Sequence, residues 1–173
     1  MLRFETMSGG ALSTFLPELA RLRITVFREW PYLHAGDLAY EERHLHTYVD
    51  AQDSIIVLAR DDDAASHCVG EIFYLAESVL LPAYRGHGAG VAFFEHREAH
   101  ARACGCFRYC CFCAVDRPPG HLARPADHVS LNAFWQRRGY RIQPTLTTHV
   151  RWREIGEAHE SPKPMTFWIK ALD

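Results

Sequence analysis

Apolar side chains along this chain repeat with a helical period in some stretches and with a strand period in others. Between residues 11 and 29 they recur at steps of three and four, which predicts an amphipathic helix. After a turn-rich break, a second helix is predicted over residues 38–49, with Asp37 as its N-cap. The same reasoning predicts helices over residues 88–103 and 129–138.

Short apolar runs between these helices predict strands, since they are bounded by turn residues and rich in branched or aromatic side chains. The predicted strands cover residues 2–6, 54–60, 67–74, 75–81, 107–115, 140–142, 146–153 and 165–171. Strands and helices therefore alternate, which places the chain in the α/β class. The chain shows no internal repeat and no linker, so we expect one domain over residues 1–173.

Composition narrows the class of protein. With 173 residues, 48% of them hydrophobic and 23% charged, the chain can bury one sizeable core. A net charge of −2 and the lack of a long basic run argue against a nucleic-acid-binding protein. The N-terminal residues lack the apolar segment of a signal peptide, and no apolar run is long enough to span a membrane. We therefore expect a cytoplasmic protein with neither a nucleic-acid nor a membrane partner.

A glycine-rich turn at residues 85–90 carries the clearest chemical signal. Arg85 and three glycines, Gly86, Gly88 and Gly90, lie between a predicted strand and a predicted helix. Glycine allows backbone conformations that other residues avoid, and it removes side chains that would block a ligand. The start of a helix adds unpaired N–H groups and the positive end of the helix dipole. A turn of this kind is suited to bind a phosphate or a pyrophosphate.

Spacing excludes two common phosphate-binding motifs. A P-loop requires Lys followed by Ser or Thr after its glycines, and none follows here. A Rossmann turn requires three glycines after the first strand and an acid about 20 residues later. Here the turn lies midway along the chain and the acid is missing.

The order Arg85-x-x-Gly88-x-Gly90 resembles the pyrophosphate loop of the GNAT family of acetyl-CoA-dependent N-acetyltransferases. The residues before it, Leu80-Leu81-Pro82-Ala83-Tyr84, are similar to the rest of that signature. A second stretch downstream resembles another element of the family, and its sequence is Phe134-Trp135-Gln136-Arg137-Arg138-Gly139-Tyr140. Two motifs in the family's order are more specific than either one alone.

The resemblance implies a mixed, mostly antiparallel sheet of about six to seven strands, with strands four and five splayed apart, flanked by about four helices. It also implies transfer of an acetyl group from acetyl-CoA to a primary amine of a small molecule or peptide, by direct attack in a ternary complex. The acyl donor would bind to Val79, Leu80 and Leu81, to the loop residues Arg85, Gly86, His87, Gly88, Ala89 and Gly90, and to Trp135.

The general acid is the main departure from the family pattern. Relatives often place a Tyr four residues before the motif glycine, where it protonates the leaving thiolate. This chain has Trp135 there, and an indole N–H is no useful proton donor. Glu77, beside the expected thioester, is the candidate base, and His128 is a candidate proton donor. A structural ion pair is the alternative for Glu77, and a catalytically silent CoA-binding module is the alternative for the whole chain.

The break between the first two helices is the predicted acceptor site. Its aromatic and acidic side chains suit a cationic amine, and they are Trp30, Tyr32, Asp37, Tyr40 and Glu41. The alternative is a helix cap packed on core aromatics. These residues do not identify the acceptor itself. The oligomeric state is also open, and a homodimer is possible.

Six cysteines could indicate a metal site, since five of them fall between residues 104 and 113. Zinc sites favour two C-x2-4-C pairs, and this cluster lacks a second pair. On a buried strand over residues 107–115, a free cysteine behaves as a small apolar residue. We therefore expect buried thiols and no metal, with a metal site or a disulfide as the alternatives.

Overall fold

The computed structural model describes residues 5–7, 9–50, 56–58 and 72–173, and side chains within 10–50 and 72–173. These ranges contain four α-helices: α1 (Leu16–Phe27), α2 (Leu38–Asp50), α3 (Ala89–Cys104) and α4 (Asn132–Arg137). They also contain six strands: β1 (Glu5–Met7), β2 (Ile56–Leu58), β3 (Ile72–Tyr74), β4 (Tyr109–Val115), β5 (Arg141–Trp152) and β6 (Ser161–Ala171). The predicted strands over 2–6, 54–60 and 67–74 fall partly outside the described residues.

The first predicted helix is divided in two. A 3-10 helix, Gly9–Phe15, precedes α1, which begins at Leu16. Pro17 lies in the first turn of α1, where its missing N–H is tolerated, whereas the interior of one long helix would be broken there. The apolar face of α1 packs on Leu45 of α2, as the periodicity predicts.

The described strands form a four-stranded sheet in the order β3-β4-β6-β5 and a two-stranded antiparallel sheet of β1 and β2. β3 runs parallel to β4, while the β4–β6 and β6–β5 pairs are antiparallel. The α/β class and the mixed, mostly antiparallel sheet are therefore confirmed. A single sheet of six to seven strands is not confirmed within the described ranges.

β5 replaces two predicted strands, over residues 140–142 and 146–153, with one continuous strand. Its register against β6 shifts between Gln143 and Thr147. Pro144 lies at this shift and has no N–H to donate, so an interruption of the ladder is expected there. The interruption was visible in the sequence, but β6 bridges it because it pairs with both sides.

Aromatic side chains hold α3 and α4 on the sheet. The Phe112 ring of β4 lies 5.8 Å from that of Phe94 on α3 and 5.1 Å from that of Trp135 on α4. It also stacks on the Trp168 ring of β6 at 6.3 Å. Buried aromatic contacts of this kind stabilise a fold through area and ring geometry together. They fix the position of the first turn of α3 relative to β4.

The pairing of β3 with β4 ends early. Tyr74 is the last residue of β3 in register with β4, and a final bond runs from the Leu75 N–H to the Cys111 carbonyl at 2.7 Å. Beyond it β4 pairs only with β6. The strand predicted over residues 75–81 is therefore wrong, because the segment after Leu75 has no partner strand. The two segments no longer pair beyond this point, which is where the family resemblance implies a splay.

Candidate functional site

The gap between β4 and residues 76–81 brings an edge of β4 without a paired strand to the surface, and the Tyr74 hydroxyl lies on this edge, 2.9 Å from Cys113 Sγ. In an antiparallel ladder, successive residues direct their N–H and C=O groups to opposite sides. Cys111 directs its carbonyl toward β3, where it accepts from Leu75. Because this direction alternates along the strand, Cys113 and Val115 direct their carbonyls into the gap. One wall of the gap can therefore bond to the amides of an extended ligand.

Val79, Leu80 and Leu81 lie on the other side of the gap and are half-buried. The Leu80 carbonyl accepts from Arg85 Nε at 3.2 Å, and the Leu81 carbonyl accepts from the Tyr84 N–H at 2.9 Å. Within the described part of the chain, the backbone of Val79 makes no such bond to another backbone group. The N–H and the C=O of Val79 are therefore both available to a ligand, while the carbonyls of Leu80 and Leu81 shape the loop.

Two glycines give the loop its conformation. Gly86 and Gly88 have φ angles of +81° and +84°, in the left-handed region that favours glycine. A Cβ at either position would meet nothing within 4 Å. These glycines are therefore required by backbone conformation, and the space beside them is open.

The first turn of α3 leaves several donors unpaired. Gly88 is the N-cap, and no side chain caps the helix. The N–H groups of Val91 and Ala92 both donate to the Gly88 carbonyl, at 2.9 and 3.1 Å. Among the described residues, the N–H groups of residues 86–90 donate to no backbone carbonyl. A row of donors at the positive end of a helix dipole is the arrangement that binds an anion.

The other predicted loop residues differ in exposure. Arg85 is exposed and donates to Glu29 Oε2 at 2.8 Å, which ties the loop to the segment after α1. His87 is exposed and Ala89 is buried. At Gly90 a Cβ would lie 3.6 Å from Cζ of Phe134, in ordinary contact. The contacts of these loop residues with a cofactor stay predictions.

Trp135 is half-buried on the core. Its ring centroid lies 5.1 Å from that of Phe112 and 5.0 Å from that of Trp168. The indole therefore fixes α4 on the sheet, in the position where the family resemblance implies a tyrosine acid. Its contact with the cofactor stays a prediction.

Glu77 lies in a cluster of charged side chains and is 26% exposed. Its carboxylate pairs with the Arg23 guanidinium of α1, and its Oε1 lies 3.4 Å from His44 Nε2 of α2. The ion pair that was the structural alternative for Glu77 is therefore present. The role of Glu77 as a base stays a prediction.

Glu41 is fully buried, at 0% exposure. Its Oε2 accepts from Arg23 Nε at 2.6 Å, and its Oε1 lies 2.7 Å from His34 Nε2. Burial disfavours the charged form, but the hydrogen bonds from His34 and Arg23 outweigh it and hold the pKa of Glu41 below its usual value. Glu41 can therefore reach an acceptor only through these partners.

Arg23 and His44 also belong to this charged cluster, and neither was predicted from the sequence. A signal for His44 was present, because Glu41 and His44 lie three residues apart and so share one face of α2. Arg23 gave a weaker signal, a charged residue on the apolar side of α1, where it is buried.

The predicted acceptor aromatics occupy two places. The Trp30 ring lies 5.7 Å from that of His128 and 5.0 Å from that of His121, so the structure brings two predicted residues together. The Tyr32 ring packs on Phe27 at 4.7 Å, and burial raises the pKa of Tyr32 to about 12. Among the described residues, His128 shows no contact with the Glu77 cluster.

Asp37 and Tyr40 flank the start of α2. Asp37 Oδ1 accepts from the Tyr40 N–H at 3.0 Å, which confirms the predicted N-cap. The Tyr40 ring lies 5.7 Å from that of His34, and burial raises the pKa of Tyr40. Contact of either residue with an acceptor stays a prediction.

The cysteines are mostly thiols. Cys104, Cys110, Cys111 and Cys113 are thiols outside any disulfide, whereas Cys106 is disulfide-bonded, so the expectation of a thiol is wrong at that position. Within the described ranges, no three metal-ligating side chains come together. Of the described helices, none combines the length and apolar character needed to cross a membrane.

We expect Cys110 and Cys111 to react slowly with thiol reagents in the native protein. Both are buried, and burial raises the pKa of Cys110 to about 12 and that of Cys111 to about 11, so little thiolate forms near neutral pH. Reaction with a chromogenic disulfide at pH 8, with and without guanidinium chloride, measures this. Equal rates for all thiols in both conditions would contradict it.

The fold is similar to solved structures of acetyltransferases. A GNAT-family protein from Desulfovibrio desulfuricans matches with a TM-score of 0.60 and 12% identity, over 100% of each chain. An acetyltransferase from Thermus thermophilus matches with a TM-score of 0.58 and 16% identity, over 99% of this chain and 98% of that one. An aminoglycoside 6'-N-acetyltransferase complexed with coenzyme A matches with a TM-score of 0.57 and 18% identity, over 98% and 97%.

No protein-family model and no curated protein sequence matches the chain. The structural matches extend over nearly the whole chain and agree with the sequence motifs at residues 80–90 and 134–140. The chain therefore has the GNAT fold.

Proposed function

We propose that this GNAT-fold chain is an N-acetyltransferase that transfers the acetyl group of acetyl-CoA to a primary amine of a small molecule or peptide. The observation that carries the proposal is the loop at residues 85–90. Its left-handed glycines and unpaired N–H groups open α3 beside the gap between β4 and residues 76–81. One elongated ligand, with a pyrophosphate at one end and amides in its arm, suits both features.

In this proposal the N–H groups of residues 86–90 bind the pyrophosphate. The pantetheine arm extends through the gap, where Val79 on one side and Cys113 on the other have backbone groups to offer. The thioester then lies toward Glu77, which precedes Val79 along the same segment. The related aminoglycoside acetyltransferase, which binds coenzyme A, supports this class of donor and an amine acceptor.

The reaction proceeds by direct attack in a ternary complex. An ammonium loses a proton, and the amine nitrogen then attacks the thioester carbonyl carbon. The C–S bond breaks, and the CoA thiolate takes up a proton. The charged cluster around Glu77 provides the acid–base groups, and His128 beside Trp30 is the candidate donor of the last proton. The acceptor would approach past Trp30, Tyr32, Asp37 and Tyr40.

A second candidate function is a CoA-binding module without catalysis. The packing of Trp135 on Phe112 and Trp168 favours it, since that position supplies no proton donor. The two candidates share the cofactor site and differ only in turnover.

Release of free thiol from acetyl-CoA in the presence of a panel of primary amines and amine-terminated peptides tests the proposal. We expect release above the rate of acetyl-CoA hydrolysis with at least one class of amine, and an acetylated product by mass spectrometry. Calorimetric binding of acetyl-CoA with no release for any amine would favour the silent module. An absence of acetyl-CoA binding would contradict both.

A further inference from the structure

Four segments of the chain bring charged side chains together at Glu77. Arg23 of α1, whose side chain is 8% exposed, lies between two carboxylates and pairs with Glu41 through Nε and with Glu77 through Nη1. His34, before α2, lies against the other oxygen of Glu41 at 2.7 Å. His44 of α2 faces the other oxygen of Glu77 at 3.4 Å. The order of contacts is therefore His34, Glu41, Arg23, Glu77 and His44.

The charges in this cluster do not balance. Arg23 supplies one positive charge for the two carboxylates of Glu41 and Glu77. His34 contacts Glu41 through Nε2, and among the described residues its buried Nδ1 has no hydrogen-bond partner. One negative charge is left over, and Glu77 is the member that contacts His44.

Arg23 makes Glu77 a weak proton acceptor. A guanidinium in contact with a carboxylate stabilises its charged form, so a proton gained by Glu77 would cost the ion pair. Since Arg23 is buried, that loss would leave it facing Glu41 alone. Glu77 is better placed to stabilise a positive charge than to take up a proton itself.

His44 has the complementary properties. Its Nε2 is buried and has no hydrogen-bond partner in the described part of the chain, whereas 37% of its side chain is exposed. Its ring is held edge-on against the Tyr48 ring, with centroids 5.8 Å apart. Desolvation lowers the pKa of His44, and the charge of Arg23 lowers it further, against the opposing effect of Glu41. Burial therefore favours the neutral imidazole, which is the form that can accept a proton.

We infer that His44 is the general base of the reaction and that Glu77 stabilises the imidazolium it becomes. The inference rests on the proposed acetyl transfer and names the residue that starts it. The proton of the acceptor ammonium passes to Nδ1 of His44, the ring nitrogen that does not face Glu77, and the freed amine nitrogen attacks the thioester. The imidazolium releases its proton to solvent after CoA leaves, and the thiolate takes one from the candidate donor His128, which regains it from solvent. Arg23, Glu41 and His34 are positioning residues, because they act through Glu77.

Kinetics of His44→Gln test the inference, with His46→Gln as the matched control on the exposed side of the same helix. We expect kcat/KM of His44→Gln to fall about 10²-fold, the scale of losing a general base, with acetyl-CoA affinity unchanged by calorimetry. Wild type should lose activity as the pH falls below the usual histidine value of 6.5, and the variant should lack this acidic limb. His46→Gln should keep the wild-type kcat/KM and the acidic limb of the pH profile. Wild-type kinetics in His44→Gln would overturn the inference and leave the base to Glu77.

Titration of the His44 ring by NMR, in wild type and in Glu77→Gln without any acceptor, gives a readout that does not depend on turnover. Removal of the adjacent negative charge should lower the pKa of His44. A His44 pKa that is unchanged in Glu77→Gln would overturn the inferred coupling of His44 and Glu77, even if acetyl transfer is found. Failure of the proposed function has a different signature, namely no acetyl-CoA binding by wild type together with an intact shift of the His44 titration.

Discussion

Replacement of Gly88 by glutamate is expected to weaken acetyl-CoA binding by about 10³-fold. The new carboxylate would stand at the N-cap of α3, where the unpaired N–H groups of residues 86–90 face the proposed pyrophosphate. Two like charges about 4 Å apart at a protein surface repel by about 4 kcal/mol, which corresponds to that loss. The open space at Gly88 gives the side chain room to occupy the anion position.

Gly105→Glu is the matched control for this variant. Gly105 caps the other end of α3 with a φ of +76°, close to the +84° of Gly88, and a Cβ there also meets nothing within 4 Å. Both variants place a side chain in a left-handed conformation and add the same charge, so both should lose stability. Only Gly88→Glu should lose affinity in calorimetry. Equal affinities in the two variants would show that acetyl-CoA does not bind at this turn.

Glu41→Ala is expected to lower the free energy of unfolding by about 3 to 5 kcal/mol. Glu41 is fully buried and bonds to Arg23 and His34, so its removal leaves a buried guanidinium without its Nε partner. Glu42→Ala, one residue along the same helix, makes the same change at a half-buried position and should cost less than about 1 kcal/mol. Urea unfolding at pH 7 measures both. A loss in Glu41→Ala no larger than that in Glu42→Ala would contradict the buried network.

The same variant makes a prediction about pH. The pKa of Glu41 is held below its usual value of 4.5, so its stabilising effect is complete above 4.5 and is lost as the pH falls through the lower, folded-state value. The difference in unfolding free energy between wild type and Glu41→Ala should therefore narrow below pH 4.5. A difference that stays constant down to pH 3 would show that Glu41 contributes by packing alone.

Features that depend on neighbours in the chain could be predicted from the sequence. The cap at Asp37, the left-handed glycines at 86 and 88 and the helix that follows them are set by backbone preferences within one or two turns. The turn proposed to bind the pyrophosphate was therefore recognisable before any tertiary contact was known. The α/β class followed likewise, because hydrophobic periodicity is a local property of each element.

Features that depend on distant partners were decided by the tertiary structure. The segment after Leu75 has the pattern of a strand, yet a strand needs a ladder, and its ladder with β4 ends at the bond from the Leu75 N–H to the Cys111 carbonyl. Glu41 has the sequence context of a solvated acid, yet packing of α2 on α1 buries it against Arg23. Glu77 is a lone carboxylate in the sequence, and only the fold gives it Arg23 and His44. The physical reason is the same each time: a polar group that leaves water must be paired, and only packing decides which distant residue becomes its partner.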